Sequence, residues 1–598
     1  MIINLSAQAQ QRLGKHELVI ITERVDDVAL LLAQMMQMGL PQILDQHLPK
    51  LPKRWQQEGL SWGWTAVIWL SYILSEGDHR KVAMETYVAG MMQTLSQITG
   101  QSIRVLDFSD DRLSHLLRHL SKVKYWQGIE ADLNERSIAV YDLPTDVVRC
   151  DATTVSAYHE VEEGGLVQFG HSKDDPSRPQ IKLMIASLDP MGMPLASSVA
   201  SGERADDGLY LPIIERLEQT LRQPGLLYVG DCKMSAFDIR AYVSGKKNLY
   251  LSPLPVTGAT AKQMPQWISE GIAKAKSGEL ESITKINDPD EEIEVAQGYE
   301  FDRLCCVQEA TGLRRWWHER VLVIHSPTHA QQQAKGLEKR LSNAEATLYS
   351  LTPARGRGKR QITTESKLLE AISKVLKTHR VEGLLRVDYV KETACETKYV
   401  GRGRGCAKRE QQQIEKVRYQ ITEVRRDDEQ MADLKAGLGW KAFVTNATAK
   451  RLPLVEAVLC YRHEYRIERI FSRLKSRLQI APLYVKREDQ IEGLSYLLTL
   501  GVRVLSVMEF TLRRSLAQDQ AALPGLHPEN HLKWTAKPTA ERVLKAFSRV
   551  TLTIIQDGVG KEIGRWLTPL SSVQQEILQR LGLDASVYTQ LEFQNTRE

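Results

Sequence analysis

The order of periodicities between Val147 and Leu254 constrains this chain more than any other feature. Val147-Val148-Arg149-Cys150-Asp151-Ala152-Thr153-Thr154-Val155 is a β-branched run. Leu166–Phe169 and Ile181–Leu188 follow as further strands, with Pro190-Met191-Gly192 as a turn. Asp206-Asp207 then opens a helical stretch to Leu221, and the apolar run Leu226–Val229 ends in Gly230-Asp231. A helix from about Ser235 leads to a strand at Asn248–Leu254. Three strands, helix, strand, helix, strand is the order of a mixed α/β sheet, not of a doubly wound parallel one.

On either side the texture differs. Val25–Met38, Leu60–Ser75, Val82–Gln97 and Asp111–Val123 carry helical spacing with no competing strand pattern, and Trp62, Trp64 and Trp69 read first as core. Pro255–Lys435 is more charged, with strands expected at Glu291–Val295, Val321–His325, Arg386–Val390 and Val417–Val424 and helices at Ala330–Ser350 and Ser366–Thr378. It holds two glycine-arginine stretches, Arg355–Arg360 and Gly401–Gly405, which suit either backbone-tracking contacts with DNA or solvated loops. A strand at Lys441–Thr445 precedes one long helix over Leu452–Leu478, and the remainder reads mostly helical. The longest apolar runs are Thr65–Leu74 and Leu494–Leu512, the latter interrupted by Arg503 and Glu509, so no membrane span is expected. No secretory pattern opens the chain, and seven cysteines without a CxxC pair suggest neither a disulfide framework nor a zinc site. Cytoplasm is the default reading.

Charge is unevenly placed. The whole chain carries +5, yet Tyr461–Arg487 alone carries +6, from eight cations against Glu464 and Glu468. Cations concentrated in this way suit a polyanion such as nucleic acid, a solvated helix face being the alternative. On a helical wheel from Tyr461, Ile467, Ile470, Phe471, Leu474 and Leu478 form a core stripe and Arg462, Arg466, Arg469, Arg473 and Arg477 a basic face. Tyr461, Glu464, Glu468 and Lys475 make a third seam. Asp151 lies in the first strand and Asp231 at the end of a later one, so neighbouring strands would bring the two carboxylates to one sheet edge. Rigidly held carboxylates are what a hard divalent cation takes as ligands.

The seam Tyr461-x2-Glu464-x3-Glu468-x6-Lys475 resembles the Tyr-x2-Arg-x3-Glu-x6-Lys signature of bacterial insertion-sequence transposases of the DDE class, whose catalytic domain is RNase H-like. Arg149–Val155, Gly170-His171-Ser172-Lys173-Asp174, Tyr228–Met234 and Thr445-Asn446 are similar to other motifs of that group. One position departs: Glu464 stands where the family has arginine. It is thereby a rival carboxylate, although the spacing to Lys475 favours Glu468.

The resemblance implies an α/β fold with an RNase H-like mixed sheet interrupted by a β-rich insertion. The expected parts are a helical DNA-binding or dimerisation region over 1–135, a core in two parts over 140–255 and 437–515, an insertion over 256–436 and a helical region over 516–598. Asp151, Asp231 and Glu468 would be catalytic and hold two Mg²⁺ ions, with Mn²⁺ able to substitute. Tyr461 and Lys475 would grip phosphates beside the scissile bond, with Arg462, Arg466, Arg469, Arg473 and Arg477 along the DNA. Trp316, Trp317 and Trp440 are the candidates for stacking a flipped base. The implied partners are double-stranded DNA, as terminal inverted repeats and target, and a second copy of the chain on that DNA, at the bacterial nucleoid. A catalytically decayed DNA-binding regulator and a host RNase H-like nuclease are the competing readings.

Overall fold

The computed structural model describes residues 18–56, 59–288, 291–308, 312, 314–356, 358–400, 410–527, 529–530 and 532–592. Two compact units divide the chain. The first is Met1–Ser252, Cys306–Trp317 and Cys460–Glu598, and the second is Pro253–Cys305 and His318–Leu459.

In the first unit a short strand β1 (Val19–Arg24) precedes the helices, of which α1 (Trp62–Glu76) and α2 (Val123–Tyr141) are the longest before the sheet. Ser61 caps α1 by accepting from the Trp64 amide, and Gly77, at φ 68°, ends it in the left-handed conformation that glycine adopts without a steric cost. Trp62 and Trp69 are buried, as a core role requires, while Trp64 is only half-buried.

The sheet strands are β2 (Val147–Ser156), β3 (Gln180–Leu188), β4 (Met193–Ser201), β5 (Leu227–Gly230) and β6 (Leu249–Pro253), in the order β4-β3-β2-β5-β6. β2 pairs antiparallel with β3 and parallel with β5, β3 antiparallel with β4, and β5 parallel with β6. This is the mixed, RNase H-like order. α3 (Asp207–Leu221) packs on β3 and β4, and every residue of β3 is buried. The expected strand at Leu166–Phe169 is absent: only Gln168 bridges to Gln180, and the third antiparallel strand is Met193–Ser201. Glycines at 164, 165 and 170 keep the earlier segment irregular, whereas Ala196, Ser197 and Ala200 lack a β-branched signal and become strand through burial.

The tail is not all helical, because β13 (Thr551–Gln556) and β14 (Glu562–Leu567) join β1 in a three-stranded sheet ordered β1-β13-β14. Pairing of Val19 with Gln556 is non-local and leaves little trace in a short window. The apolar run Leu494–Leu512 lies within the helix Glu488–Gln518, which is long and apolar enough to cross a membrane by length and composition. Its most apolar window is 94% buried inside the protein, and its Arg503 donates to Asn134 Oδ1 at 2.6 Å. It is a core helix. A Cβ at Gly493 would meet Leu117 O at 2.1 Å, so glycine there permits close packing against the helix Asp110–Leu120.

In the second unit the strands β7 (Glu281–Asp288), β8 (Glu291–Gln308), β9 (Arg314–His325) and β12 (Trp440–Thr445) lie in the order β12-β9-β8-β7. The strands β10 (Leu385–Tyr399) and β11 (Gln411–Arg426) form a separate antiparallel ribbon. Helices Pro327–Leu351 and Glu365–His379 share a core with it through Leu341, Leu348, Leu368 and Ile421. The Gly401–Gly405 stretch lies outside the described residues, as does Arg357 of the other.

Candidate active site

Register places the two aspartates together. In the parallel β2–β5 pair Cys150 is opposite Gly230, so the next residues, Asp151 and Asp231, stand side by side on neighbouring segments of the chain. Adjacent strands run about 4.8 Å apart, so the two carboxylates share one locality. Gly230 permits this close approach: a Cβ there would meet Cys150 O at 3.1 Å and Met234 Sδ at 2.8 Å. Asp231 Oδ1 accepts from Tyr210 Oη at 2.7 Å and from the Lys233 amide at 2.9 Å, and Asp151 Oδ1 accepts from the Ala152 amide at 2.7 Å. Burial pushes the Asp151 carboxyl up to about 7, with Lys173 opposing the shift and Asp231 and Glu464 adding to it.

The third wall is helical, but not one continuous helix. α4 (Leu454–Arg462) stops, α5 (Tyr465–Ser472) restarts, and a π-helical turn over Arg473–Arg477 follows. At the junction the amides of His463, Glu464, Arg466 and Ile467 all bond three residues back. Such a tight turn advances about 120° per residue instead of about 100° and eclipses side chains three apart. Tyr461 therefore stands over Glu464, and these two line the small cleft with Arg149, Cys150, Asp151, Val229, Gly230, Asp231 and Ile467. Glu468 is turned to the exposed side of α5 and is not among the lining residues. Burial and the neighbouring Glu464 carboxylate hold the Tyr461 phenol in its protonated form.

Arg149 docks this wall onto the sheet. Its guanidinium donates to Asp189 Oδ2 at 3.0 and 2.9 Å and to Cys460 O at 2.5 Å, while Arg466 donates to Asp189 Oδ1 at 2.6 Å. An arginine two positions before Asp151 thus fixes the backbone one position before Tyr461. Arg149, Asp189 and Tyr210 carry no catalytic pattern of their own in the sequence; the Arg149–Asp151 spacing, which puts both residues in one strand, is the available signal for the first.

The basic face requires correction. Arg466 is paired with Asp189, Arg469 is bidentate to Glu509 at 2.6 Å twice, and Arg473, 5% exposed, bonds Glu509 and Glu541. Arg477 donates to Leu74 O at 2.6 Å and Ser75 O at 3.3 Å, at the C-terminal end of α1, where a cation is favourable. These four hold the unit together instead of forming an open cationic face. Arg462 stays exposed, and Lys475 bonds Asp174 at 2.9 and 2.7 Å. Of the tryptophans, Trp317 is buried with its indole donating to Tyr250 Oη at 3.0 Å, Trp440 is buried, and Trp316 is 54% exposed.

Among the described residues no three His, Cys, Asp or Glu side chains stand close enough, as they lie, to form a metal site. The carboxylates that line the cleft, from Asp151, Asp231 and Glu464, are nonetheless hard oxygen donors, and the charges of Asp231 and Glu464 add to the burial that favours the protonated form of Asp151. Both properties fit a hard divalent cation that retains several waters.

Comparison with known proteins bears on this arrangement. No curated protein matches the chain. Among solved structures, the piggyBac transposase synaptic complex with hairpin DNA is similar at 10% identity, covering 49% of this chain and 60% of that one, with a TM-score of 0.22. The chain therefore spans less than two thirds of that relative. The sequence itself matches the transposase DDE domain family over residues 143–503, more than half of its length and the stretch that carries Asp151, Asp231, Glu464 and Glu468. This chain belongs to the DDE-domain transposase family.

Proposed function

We propose that this transposase binds the ends of its element, cleaves them and joins them to target DNA by divalent-metal-assisted phosphoryl transfer at the Asp151–Asp231 cleft. The observation that carries the reading is the parallel β2–β5 register, which opposes the two aspartates beneath the carboxylate-bearing helix. Asp151 and Asp231 would hold Mg²⁺ with a carboxylate from the Glu464–Glu468 segment, and such an ion, when bound, would supply Lewis-acid polarisation of a phosphoryl oxygen and a lowered pKa for the nucleophile. Tyr210 and the Lys233 amide orient Asp231. Arg149 keeps the helical wall against β2. Tyr461, protonated, offers a hydroxyl donor, and Lys475 is a point charge for a phosphate beside the scissile bond. Strand nicking and strand transfer are then the same displacement with water or a 3′-hydroxyl as nucleophile. Where the second strand is cut through a hairpin, Trp316 is the candidate with an open face for a flipped base. Two ends need two such sites, so a homodimer on DNA follows, acting at the nucleoid.

The deciding experiment is Mg²⁺-dependent cleavage and joining of labelled duplex carrying the element's inverted repeats. Binding without cleavage would favour a decayed regulator, and cutting of RNA hybrids without joining would favour a nuclease. Run in parallel, Glu464→Gln and Glu468→Gln identify the third carboxylate. The cleft geometry predicts a loss of about 10³-fold for Glu464→Gln, as expected for several kcal/mol of metal-mediated stabilisation. If Glu468→Gln alone is inactive, α5 must rotate on loading to bring Glu468 inward.

A proton must leave Asp151 before a cation binds there. Mn²⁺ affinity, followed by electron paramagnetic resonance, is expected to fall about tenfold per pH unit below pH 7 and to level off above it. A flat profile from pH 5.5 to 8 would remove Asp151 from the metal site.

A further inference from the structure

The segment between β2 and β3 bends back over the cleft and meets it with two consecutive residues of opposite charge. The Lys173 amide donates to Thr154 Oγ1 at 3.1 Å; its Nζ donates to Ala152 O at 2.8 Å and stands 3.9 Å from Asp151 Oδ1. The next residue, Asp174, accepts from Lys475 Nζ through both carboxylate oxygens. Ser172 Oγ shapes the turn by accepting from the amides of Asp174 at 3.2 Å and Asp175 at 3.0 Å. The result is a crossed arrangement: a cation lies against a carboxylate expected to take a metal, and an anion lies against a lysine expected to take a phosphate.

We propose that Lys173 and Asp174 are further residues of the reaction centre, a charge-crossed clamp that holds the cation position beside Asp151 and the phosphate position on Lys475 until Mg²⁺ and DNA displace them. The inference rests on the proposed function. Three features support exchange over a permanent tie. Lys173 is 47% exposed and Asp174 40%, so water reaches the outer member of each pair and lowers the cost of parting it from its partner. Lys173 is held by a single carbonyl and carries three donors on a flexible stem, so it can swing to the incoming phosphate. The two contacts lie on adjacent residues, so displacing one loosens the other. A merely structural link between β2 and the helical wall makes the opposite prediction, since breaking it would disorder the cleft and weaken both ligands.

The test is therefore one of sign, on the full chain. Lys173→Met is expected to tighten Mn²⁺ binding at pH 8 about three- to tenfold, because a neighbouring positive charge is removed. Lys173→Arg should bind as wild type, and Lys173→Gln, which retains a donor for Ala152 O, is the second neutral variant should methionine disturb folding. Asp174→Asn should tighten binding of a fluorescein-labelled duplex in EDTA about two- to fivefold. In a Lys475→Ala background that gain should vanish, which separates release of Lys475 from a general loss of negative charge. Unchanged or weaker Mn²⁺ binding in both neutral variants overturns the Lys173 half of the clamp. An Asp174→Asn effect that is absent, reversed or independent of Lys475 overturns the other half. Wild-type protein that binds no Mn²⁺ would overturn the proposed function itself.

Discussion

Asp231→Asn is expected to lower DNA cleavage by about 10³-fold or more while leaving the fold and DNA binding in place. The substitution is nearly isosteric, so the amide oxygen still accepts from Tyr210 Oη and the Lys233 amide, the two contacts that orient the side chain. What disappears is the negative charge opposite Asp151, and with it the anionic half of the ligand pair. A metal acting as Lewis acid supplies several kcal/mol of transition-state stabilisation, and about 4 kcal/mol corresponds to 10³ in rate. Single-turnover cleavage at saturating protein, with an unfolding curve beside it, checks both halves of the statement. Near-wild-type cleavage would place the chemistry elsewhere in the molecule.

Glu509→Ala is expected to cost about 3–5 kcal/mol of stability, the range for stranding buried charges. One carboxylate here receives Arg469 at 2.6 Å twice, Arg473, Arg513 at 2.9 Å and the Ala540 amide at 3.0 Å. Its removal leaves three guanidiniums close together around Arg473, which has almost no access to water. Among the described residues Glu541 alone then remains to offset Arg473. Denaturant titration with a probe in the first unit measures the loss. A change below about 1 kcal/mol would mean that these arginines are solvated in solution, and would return them to the pool of cations open to DNA.

That same cluster shows how far sequence patterning reaches. Arg466, Arg469, Arg473 and Arg477 do share a helical face, but a wheel records azimuth and not what lies opposite. Asp189, Glu509, Glu541 and the end of α1 come from remote positions and neutralise or bind that face. The tryptophans behaved differently: apolar bulk in helical periodicity points to burial wherever the partners come from, and Trp62 and Trp69 are buried.

The sequence by itself determined the mixed sheet, the placing of Asp151 in one strand and of Asp231 at the end of another, and the family through the spacing of its motifs, whereas the register that sets the two aspartates side by side came from the structure. The first three are properties of local periodicity and short spacing, which a linear pattern carries. The tertiary structure alone decided that Met193–Ser201 is the third antiparallel strand, that β1 pairs with β13, and that the chain turns tightly at His463–Glu464. That last turn brings Glu464 and not Glu468 to the cleft, because a few residues wound at three per turn shift every later side chain in azimuth. It is held by Arg149 bonding Cys460 O from a strand more than three hundred residues earlier, a contact that no local window contains.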